Sequence, residues 1–117
     1  MEALLPPRSG DAKALDPRMK VSVCVPARNE ERTLGASLAA IAAQSHAPVE
    51  IFVVNDGSTD ATARIANEFA TRDARFRVIE TGGVGPATGR NIAILRATSD
   101  AIAFTDADAI PRPDWLA

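Results

Sequence analysis

The stretch VEIFVVNDGSTD, residues 49–60, decides the fold expected for this chain. Its first six residues are largely apolar and β-branched, which is typical of a buried strand. Residues 55–59 are polar turn formers, and a helical pattern begins near Asp60, with Ile65 and Phe69 four residues apart. A buried strand that passes through a short turn into a helix is the repeating unit of an α/β protein.

The same unit recurs on both sides of this stretch. An apolar run at 21–25 precedes a helical pattern over 30–44, and a weaker strand at 76–80 leads through a glycine loop into a helix predicted over 86–96. A last strand is predicted at 101–105. This alternation predicts a Rossmann-like three-layer α/β/α fold with a mostly parallel sheet, and right-handed crossovers favour the strand order 3-2-1-4.

Composition limits the classes of protein to which the chain can belong. Its 117 residues suffice for one domain, and a formal net charge of -2 provides no basic surface for nucleic acid or an anionic membrane. The single cysteine, Cys24, excludes an internal disulfide framework and is expected to be a small core residue. No apolar run is long enough to span a bilayer. The expected location is the cytoplasm, or the cytoplasmic face of the membrane for a longer form of the protein.

The beginning of the chain differs from the rest in composition. Its first nineteen residues contain prolines and charges without a sustained hydrophobic period. Such a segment cannot bury enough apolar surface to offset the entropy lost on ordering. The sequence therefore predicts a disordered leader over residues 1–19 and a folded domain over residues 20–117.

Polar residues collect at the predicted carboxyl ends of three strands. The first strand ends in PARNE (26–30), the second in NDGSTD (55–60) and the fourth in DAD (106–108). Ligands of an open parallel sheet bind beyond these ends, so the three segments are expected to meet at one rim. Turn and capping chemistry alone accounts for residues 58–60, and we expect those three to be caps.

Capping explains Asp106 and Asp108 less well. Residues two apart in an extended segment point to the same side, so the two carboxylates are expected to share a small volume. Like charges that lie so close need a cation or protons between them. Hard oxygen ligands in a nearly open site suit Mg²⁺ or Mn²⁺, which also bind phosphate oxygens.

Two other positions have open interpretations. Asp56 could accept a hydrogen bond from a base or ribose, or stabilise a turn before Gly57. Arg90, in the third predicted helix, could contact a phosphate or be a solvated helical charge. The glycine loop before Pro86 allows a ligand to approach the backbone closely, but it lacks the lysine and the glycine spacing of known phosphate-binding loops.

The chain resembles glycosyltransferase family 2, whose members have the GT-A fold, in four segments that stand in the family's order and spacing: VSVCVPARNE, VEIFVVNDGSTD, GPATGRNIAI and AIAFTDADAIPRPDWL. The resemblance extends from about Val21 to Leu116. It implies that residues 20–117 are the nucleotide-sugar-binding part of an inverting transferase. Such an enzyme moves a sugar from a nucleoside diphosphate sugar, most often a UDP-sugar, to a hydroxyl of a saccharide, lipid or other acceptor.

The resemblance also implies roles for individual residues. Asp56 would accept a hydrogen bond from the base, and Arg90 would lie near the diphosphate or the sugar. Asp106 and Asp108 match the family's D-x-D motif, with Asp106 near the ribose and sugar and both carboxylates assigned to the Mg²⁺ or Mn²⁺ site. Three residues would line the nucleoside pocket: Pro26, Arg28 and Glu30.

The sequence departs from the family pattern in two ways. Ala109 stands where the family commonly has a further acidic residue, which leaves a smaller set of metal ligands. The family's catalytic base comes from the part of the domain that follows the D-x-D motif, so the resemblance assigns no catalytic base to this chain. We therefore expect the 117 residues to bind donor and cation and to be inactive in transfer alone, as a fragment or a partner-completed subunit.

Two other functions fit parts of the pattern. A non-enzymatic nucleotide-binding module would share the same motifs and would differ only in whether the natural protein continues past Ala117. A phosphoacceptor receiver domain would require an acidic pair after the first strand and a lysine after a fifth strand. Neither feature is found in the sequence, so the receiver is the weakest of the three hypotheses.

Overall fold

Four parallel strands form the centre of the computed structural model, which describes residues 16–117. Their order in the sheet is β3-β2-β1-β4, as predicted, and every neighbouring pair is parallel. The α/β class with Rossmann-like topology is therefore confirmed. The strand bounds are β1 Val21–Ala27, β2 Glu50–Asp56, β3 Phe76–Thr81 and β4 Ala101–Phe104.

Three helices cover the two faces of this sheet: α1 Leu34–Ala42, α2 Thr62–Arg72 and α3 Pro86–Arg96. Residues of α1 and α2 share one hydrophobic core cluster, whereas α3 contributes to the other. The first helix begins four residues later than the sequence pattern predicts. The amides of Glu30 and Glu31 donate to side chains at the start of α2. Residues 31–33 form a non-helical turn, and the helix begins after it.

Alternation along β1 explains why both faces of the sheet are apolar. Val21, Val23 and Val25 point into the cluster beneath α1, and Cys24 belongs to the cluster beneath α3. These four side chains are fully buried, which confirms Cys24 as a core residue. A central strand with both faces buried leaves its carboxyl end as the place where polar side chains can reach solvent.

The predicted leader lies outside the described residues except for its last four positions. Asp16 and Arg18 form a salt bridge of 2.8 Å there, and Met19 packs against the core cluster beneath α1. The disorder expected for residues 1–19 stays a prediction. Among residues 16–117, no helix combines the length and the apolar character needed to cross a membrane.

Two glycines permit close packing at the carboxyl end of β2. Gly57 has a φ of 74°, and a Cβ there would lie 3.2 Å from the backbone nitrogen of Gly83. A Cβ on Gly89 of α3 would lie 3.0 Å from Cγ1 of Val54. The absence of these two side chains therefore brings the loop after β3 and the helix α3 onto the end of β2.

Gly57→Ala is expected to lower the free energy of unfolding by about 1–2 kcal/mol, because alanine is strained at a positive φ and its methyl group would meet the Gly83 backbone. Gly35→Ala is the matched control, since Gly35 lies in α1 with open space around its Cβ position. That change should leave stability unaltered or raise it by up to about 1 kcal/mol. Urea unfolding of both variants measures the difference, and equal effects would contradict this account of Gly57.

Candidate functional site

A cleft of about 360 Å³ lies beyond the carboxyl ends of β1 and β2, between the start of α3 and the segment that follows β4. Its position is the one expected for ligands of an open parallel sheet. The cleft is lined by all seven residues that the sequence singles out: Pro26, Arg28, Glu30, Asp56, Arg90, Asp106 and Asp108. The structure thus brings the predicted site residues together, while their roles toward a ligand stay predictions.

The loop after β1 is held against the loop after β2 by side-chain hydrogen bonds. Asn29 has a φ of 53°, its amide donates to Ser58 Oγ at 3.0 Å, and its Oδ1 accepts from the Thr59 amide at 2.8 Å. The Glu30 amide donates to Thr62 Oγ1 at 2.9 Å. Ser58 and Thr59 therefore connect two loops instead of capping a helix, and this connection positions the rim that carries Arg28 and Glu30.

Asp60 combines a capping role with a connecting one. Its Oδ1 accepts from the Thr62 amide at 2.9 Å in the first turn of α2, as expected, and its Oδ2 accepts from the Glu31 amide at 3.3 Å. The hydrogen bond from the Thr62 hydroxyl is the main cause that lowers the pKa of Asp60. Asp60 lies away from the cleft lining, so its contacts are structural.

The carboxylate of Asp56 binds the loop between β3 and α3. Oδ1 accepts from Thr81 Oγ1 at 2.7 Å and from the amides of Gly83 and Val84 at 2.8 Å, and Oδ2 accepts from the Gly85 amide at 2.9 Å. The alternative prediction, that Asp56 stabilises the turn before Gly57, is thus wrong. The carboxylate instead stabilises the loop between β3 and α3. Hydrogen bonds from Thr81 and from the three amides lower the pKa of Asp56 to about 2 although it is buried.

Arg90 lies in the cleft and not on the solvated face of α3. Its side chain is 27% exposed, and its Nη2 is 4.0 Å from Oδ1 of Asp106, whose side chain is 50% exposed. The close contact of Gly89 with Val54 brings this part of α3 near the sheet. Of the two interpretations open for Arg90, the structure therefore disfavours a fully solvated helical charge.

Asp106 and Asp108 lie in a turn and not in an extended segment. β4 ends at Phe104, and the Ala109 amide donates to the Asp106 carbonyl at 3.1 Å. The expectation that both side chains share one side of a strand is wrong in this respect, because pairing with β1 stops at Phe104. Both residues nevertheless line the cleft. The turn is fixed to α1 by Thr33 Oγ1, which donates to the Ala107 carbonyl at 3.0 Å.

The donor chemistry of the cleft fits a divalent cation that arrives with its own ligands. Residues 16–117 contain no group of three or more histidine, cysteine, aspartate or glutamate side chains arranged to hold a metal ion. Two carboxylates at one rim, Asp106 and Asp108, are hard oxygen donors of the kind that Mg²⁺ and Mn²⁺ prefer. Such a cation would complete its shell with water and phosphate oxygens.

Two residues that shape the site were missed by reasoning from the sequence. Asn29 joins the first two loops, and Thr81 donates to Asp56. Thr81 stands beside Asp56 in the parallel register of β2 and β3, although the two are 25 residues apart. The one available signal was the glycine-rich loop directly after Thr81, which indicates a backbone that must bend around another group.

Comparison with known proteins agrees with this geometry. Residues 22–117 match the family model described as Glycosyl transferase family 2. The chain belongs to glycosyltransferase family 2. Among curated relatives, glycosyltransferase GlyA of Streptococcus pneumoniae is 37% identical over 97 residues, which are 83% of this chain and 13% of GlyA.

Two solved structures superpose well on the chain. S. aureus TarS in complex with UDP has a TM-score of 0.74 and 32% identity, over 84% of this chain and 30% of that chain. The mannosyltransferase PcManGT from Pyrobaculum calidifontis, in complex with GDP-Man and Mn²⁺, has a TM-score of 0.75 and 32% identity, over 89% and 34%. These neighbours have the GT-A fold, which confirms the predicted fold class. The chain spans 13% to 28% of the length of the first curated relatives it matches.

The stability supplied by Asp56 should disappear in acid. Its pKa is lowered from 3.8 to about 2 in the folded chain, so its contribution is fully present above about pH 4 and is lost as the pH falls toward 2. Asp56→Asn introduces an amino group next to the hydroxyl and amide donors around Asp56, so it resembles the protonated carboxyl. The difference in Tm between wild type and Asp56→Asn should stay constant from about pH 7 to 4 and shrink below pH 4. A difference of the same size near pH 2 and near pH 7 would contradict this assignment.

Proposed function

We propose that residues 20–117 are the nucleotide-sugar-binding part of an inverting glycosyltransferase that uses a UDP-sugar. The observation that carries the proposal is the composition of the cleft at the strand ends. One carboxylate that can accept a hydrogen bond from a nucleobase lies there together with two arginines and two further carboxylates: Asp56, Arg28, Arg90, Asp106 and Asp108. Family membership supports the same activity. TarS, which shares 32% identity with the chain, binds UDP, and this supports the choice of nucleotide.

The hydrogen bonds of Asp56 favour uracil among the bases. A carboxylate offers about four acceptor positions, and three donors already share Oδ1 while one uses Oδ2. A single position on Oδ2 therefore remains for a ligand. Uracil presents one imino N–H, which matches one acceptor, whereas guanine presents an imino N–H beside an amino group and requires two.

The diphosphate would lie between the two arginines and the beginning of α3. Gly85 precedes this helix and Pro86 occupies its first turn, so the positive end of the helix dipole points toward the cleft. Arg90 extends from the same helix toward Asp106. These positive groups would balance the charge of a nucleoside diphosphate beside the carboxylates of the turn after β4.

Asp106 and Asp108 would hold the divalent cation together with the diphosphate. When bound, the cation supplies charge neutralisation for the leaving nucleoside diphosphate. The Mn²⁺ in the PcManGT complex supports this choice, and Mg²⁺ has the same oxygen preference. The side chains that line the cleft would hold the donor.

Inverting transfer also requires a general base that deprotonates the acceptor hydroxyl. We assign this base to no residue of the chain. Inactivity of the 117 residues in transfer stays a prediction, as does the nature of the acceptor. The functions that the cleft supports here are donor binding and cation binding.

Cation and nucleotide should bind cooperatively. UDP is expected to bind roughly 5- to 150-fold more tightly with Mn²⁺ than with a chelator, and Mn²⁺ should gain affinity by the same factor in the presence of UDP. Asp108→Asn should abolish most of this coupling because it removes one carboxylate charge. Asp114→Asn is the control, since Asp114 is exposed outside the cleft and pairs with Arg112 at 3.6 Å. Calorimetry that finds equal UDP affinity with and without Mn²⁺ in folded wild type would refute the cation assignment.

Asp56 should contribute to nucleotide affinity, whereas Asp60 should contribute only to stability. Because Asp56→Ala removes a charge-assisted hydrogen bond to the nucleobase, we expect it to weaken UDP binding about 10- to 150-fold. Asp60→Ala removes the hydrogen bond to the first turn of α2 and should lower the Tm with little change in UDP affinity. The two variants are compared by calorimetry and thermal unfolding, and indistinguishable UDP affinities would make the base assignment wrong.

A further inference from the structure

One buried residue, Ala107, separates the two carboxylates assigned to the cation. Ala107 is 2% exposed and belongs to the hydrophobic core cluster beneath α1, whereas Asp106 and Asp108 on either side of it line the cleft. Two planar peptide groups connect the three residues. The directions in which the two aspartate side chains leave the backbone therefore depend on how these two peptide planes are held.

Both peptide planes are contacted by hydroxyl groups at the beginning of α1. Thr33, directly before the helix, donates through Oγ1 to the Ala107 carbonyl at 3.0 Å, and Ser37 of α1 donates to the Asp106 carbonyl at 3.4 Å. Residues four apart lie on the same face of a helix, so the two hydroxyls meet two consecutive carbonyls. Thr33 makes the shorter contact, and it holds the peptide group that precedes Asp108.

The backbone fixes the position of the Thr33 side chain independently of any ligand. The Thr33 amide donates to the Glu30 carbonyl at 3.2 Å, and the Thr33 carbonyl accepts from the Ser37 amide at 3.1 Å. The hydroxyl has one proton and a second acceptor within reach, Glu30 Oε2 at 3.4 Å. The Ala107 carbonyl at 3.0 Å is nearer and has the more favourable distance for a hydroxyl donor.

The cation site depends on such support because the protein offers it few ligands. Residues 16–117 contain no group of three or more histidine, cysteine, aspartate or glutamate side chains arranged to hold a metal ion. The two carboxylates of the turn, Asp106 and Asp108, repel each other, so a loosened turn favours arrangements in which they move apart. A site that is correctly arranged for only a fraction of the time binds its ligand with an affinity reduced by that fraction.

We propose that Thr33 is a positioning residue for the divalent cation: its hydroxyl holds the peptide group between Ala107 and Asp108, so that Asp106 and Asp108 stay in the arrangement that binds the cation with the diphosphate. The proposal rests on the function proposed for the cleft. Thr33 stands outside the cleft lining, so it acts through the backbone of the turn. Ser37 has the same role with a longer contact.

The experiment compares Thr33→Val, which keeps the shape of the side chain and removes the donor, with Thr33→Ser, which keeps the donor. Thr71→Val is the matched control, because the exposed Thr71 hydroxyl donates within α2, to the Asn67 carbonyl at 2.9 Å. Calorimetry measures UDP affinity with a chelator and at one Mn²⁺ concentration that leaves the free protein mostly unoccupied. The ratio of the two affinities is the gain from Mn²⁺.

A second measurement follows the turn without metal or nucleotide. The Ala109 amide donates to the Asp106 carbonyl at 3.1 Å and thereby closes the turn. Its hydrogen exchange, measured by NMR, reports how often the turn opens.

Thr33→Val should lower the gain from Mn²⁺ about 2- to 5-fold, which is the net effect of one hydrogen bond. Its UDP affinity with chelator should equal that of wild type, and its Ala109 amide should exchange faster by a similar factor. Ser37→Ala should lower the gain less, because its contact is longer. Thr33→Ser and Thr71→Val should behave like wild type in all measurements.

Faster exchange of the Ala109 amide in Thr33→Val with an unchanged gain from Mn²⁺ would show a purely structural role and overturn the proposal. Unchanged exchange would overturn it as well, because the hydroxyl would then not hold the turn. An equal loss of UDP affinity with Mn²⁺ and with chelator would assign the effect to the nucleotide pocket and not to the cation. A loss in Thr33→Ser as large as in Thr33→Val would also contradict the proposal.

The wild-type titration separates this inference from the function on which it rests. If wild type shows no gain from Mn²⁺, the proposed cation site falls together with the role of Thr33. If wild type shows the gain and Thr33→Val keeps it, the inference alone falls. Thr33→Ala replaces Thr33→Val if the amide spectrum shows that valine prevents folding.

Discussion

The carboxylate of Asp56 is the contact on which the shape of the cleft depends. It receives four hydrogen bonds from Thr81 and the following loop, and this loop leads directly into α3. Such a set of donors strongly favours the ionised form, and for that reason the pKa of Asp56 falls to about 2 while the residue is buried. The loop, the start of α3 and the cleft wall are therefore ordered around one buried negative charge.

Glycine makes this arrangement sterically accessible. Gly57 lets the turn after β2 lie against the Gly83 backbone, and Gly89 lets α3 approach Val54. A helix that packs so near the sheet directs Arg90 toward Asp106 instead of toward solvent. Close packing of the backbone thus places Arg90 in the cleft. The same packing places the positive end of the α3 dipole there.

The opposite wall is built from hydrogen bonds between loops. Asn29 connects the loop after β1 with Ser58 and Thr59, and Thr33 fixes the turn after β4 through the Ala107 carbonyl. The segment that leads into α1 thereby joins three loops from distant parts of the chain. A diphosphate with its cation would meet charges whose positions are set before the ligand arrives, and such preorganisation reduces the ordering needed on binding.

The order of strands and helices, the parallel sheet and the polar residues at its carboxyl rim follow from the amino-acid sequence alone. Apolar runs and polar strand ends are local patterns, so the positions of Asp56 and Asp106 at the rim could be inferred from them. Two features could not be predicted in this way: Asp56 binds the loop after Thr81, and the D-x-D segment forms a turn. The first depends on the register of β2 and β3, which places Thr81 beside Asp56. The second depends on where the pairing of β4 with β1 ends. Local periodicity encodes neither of these.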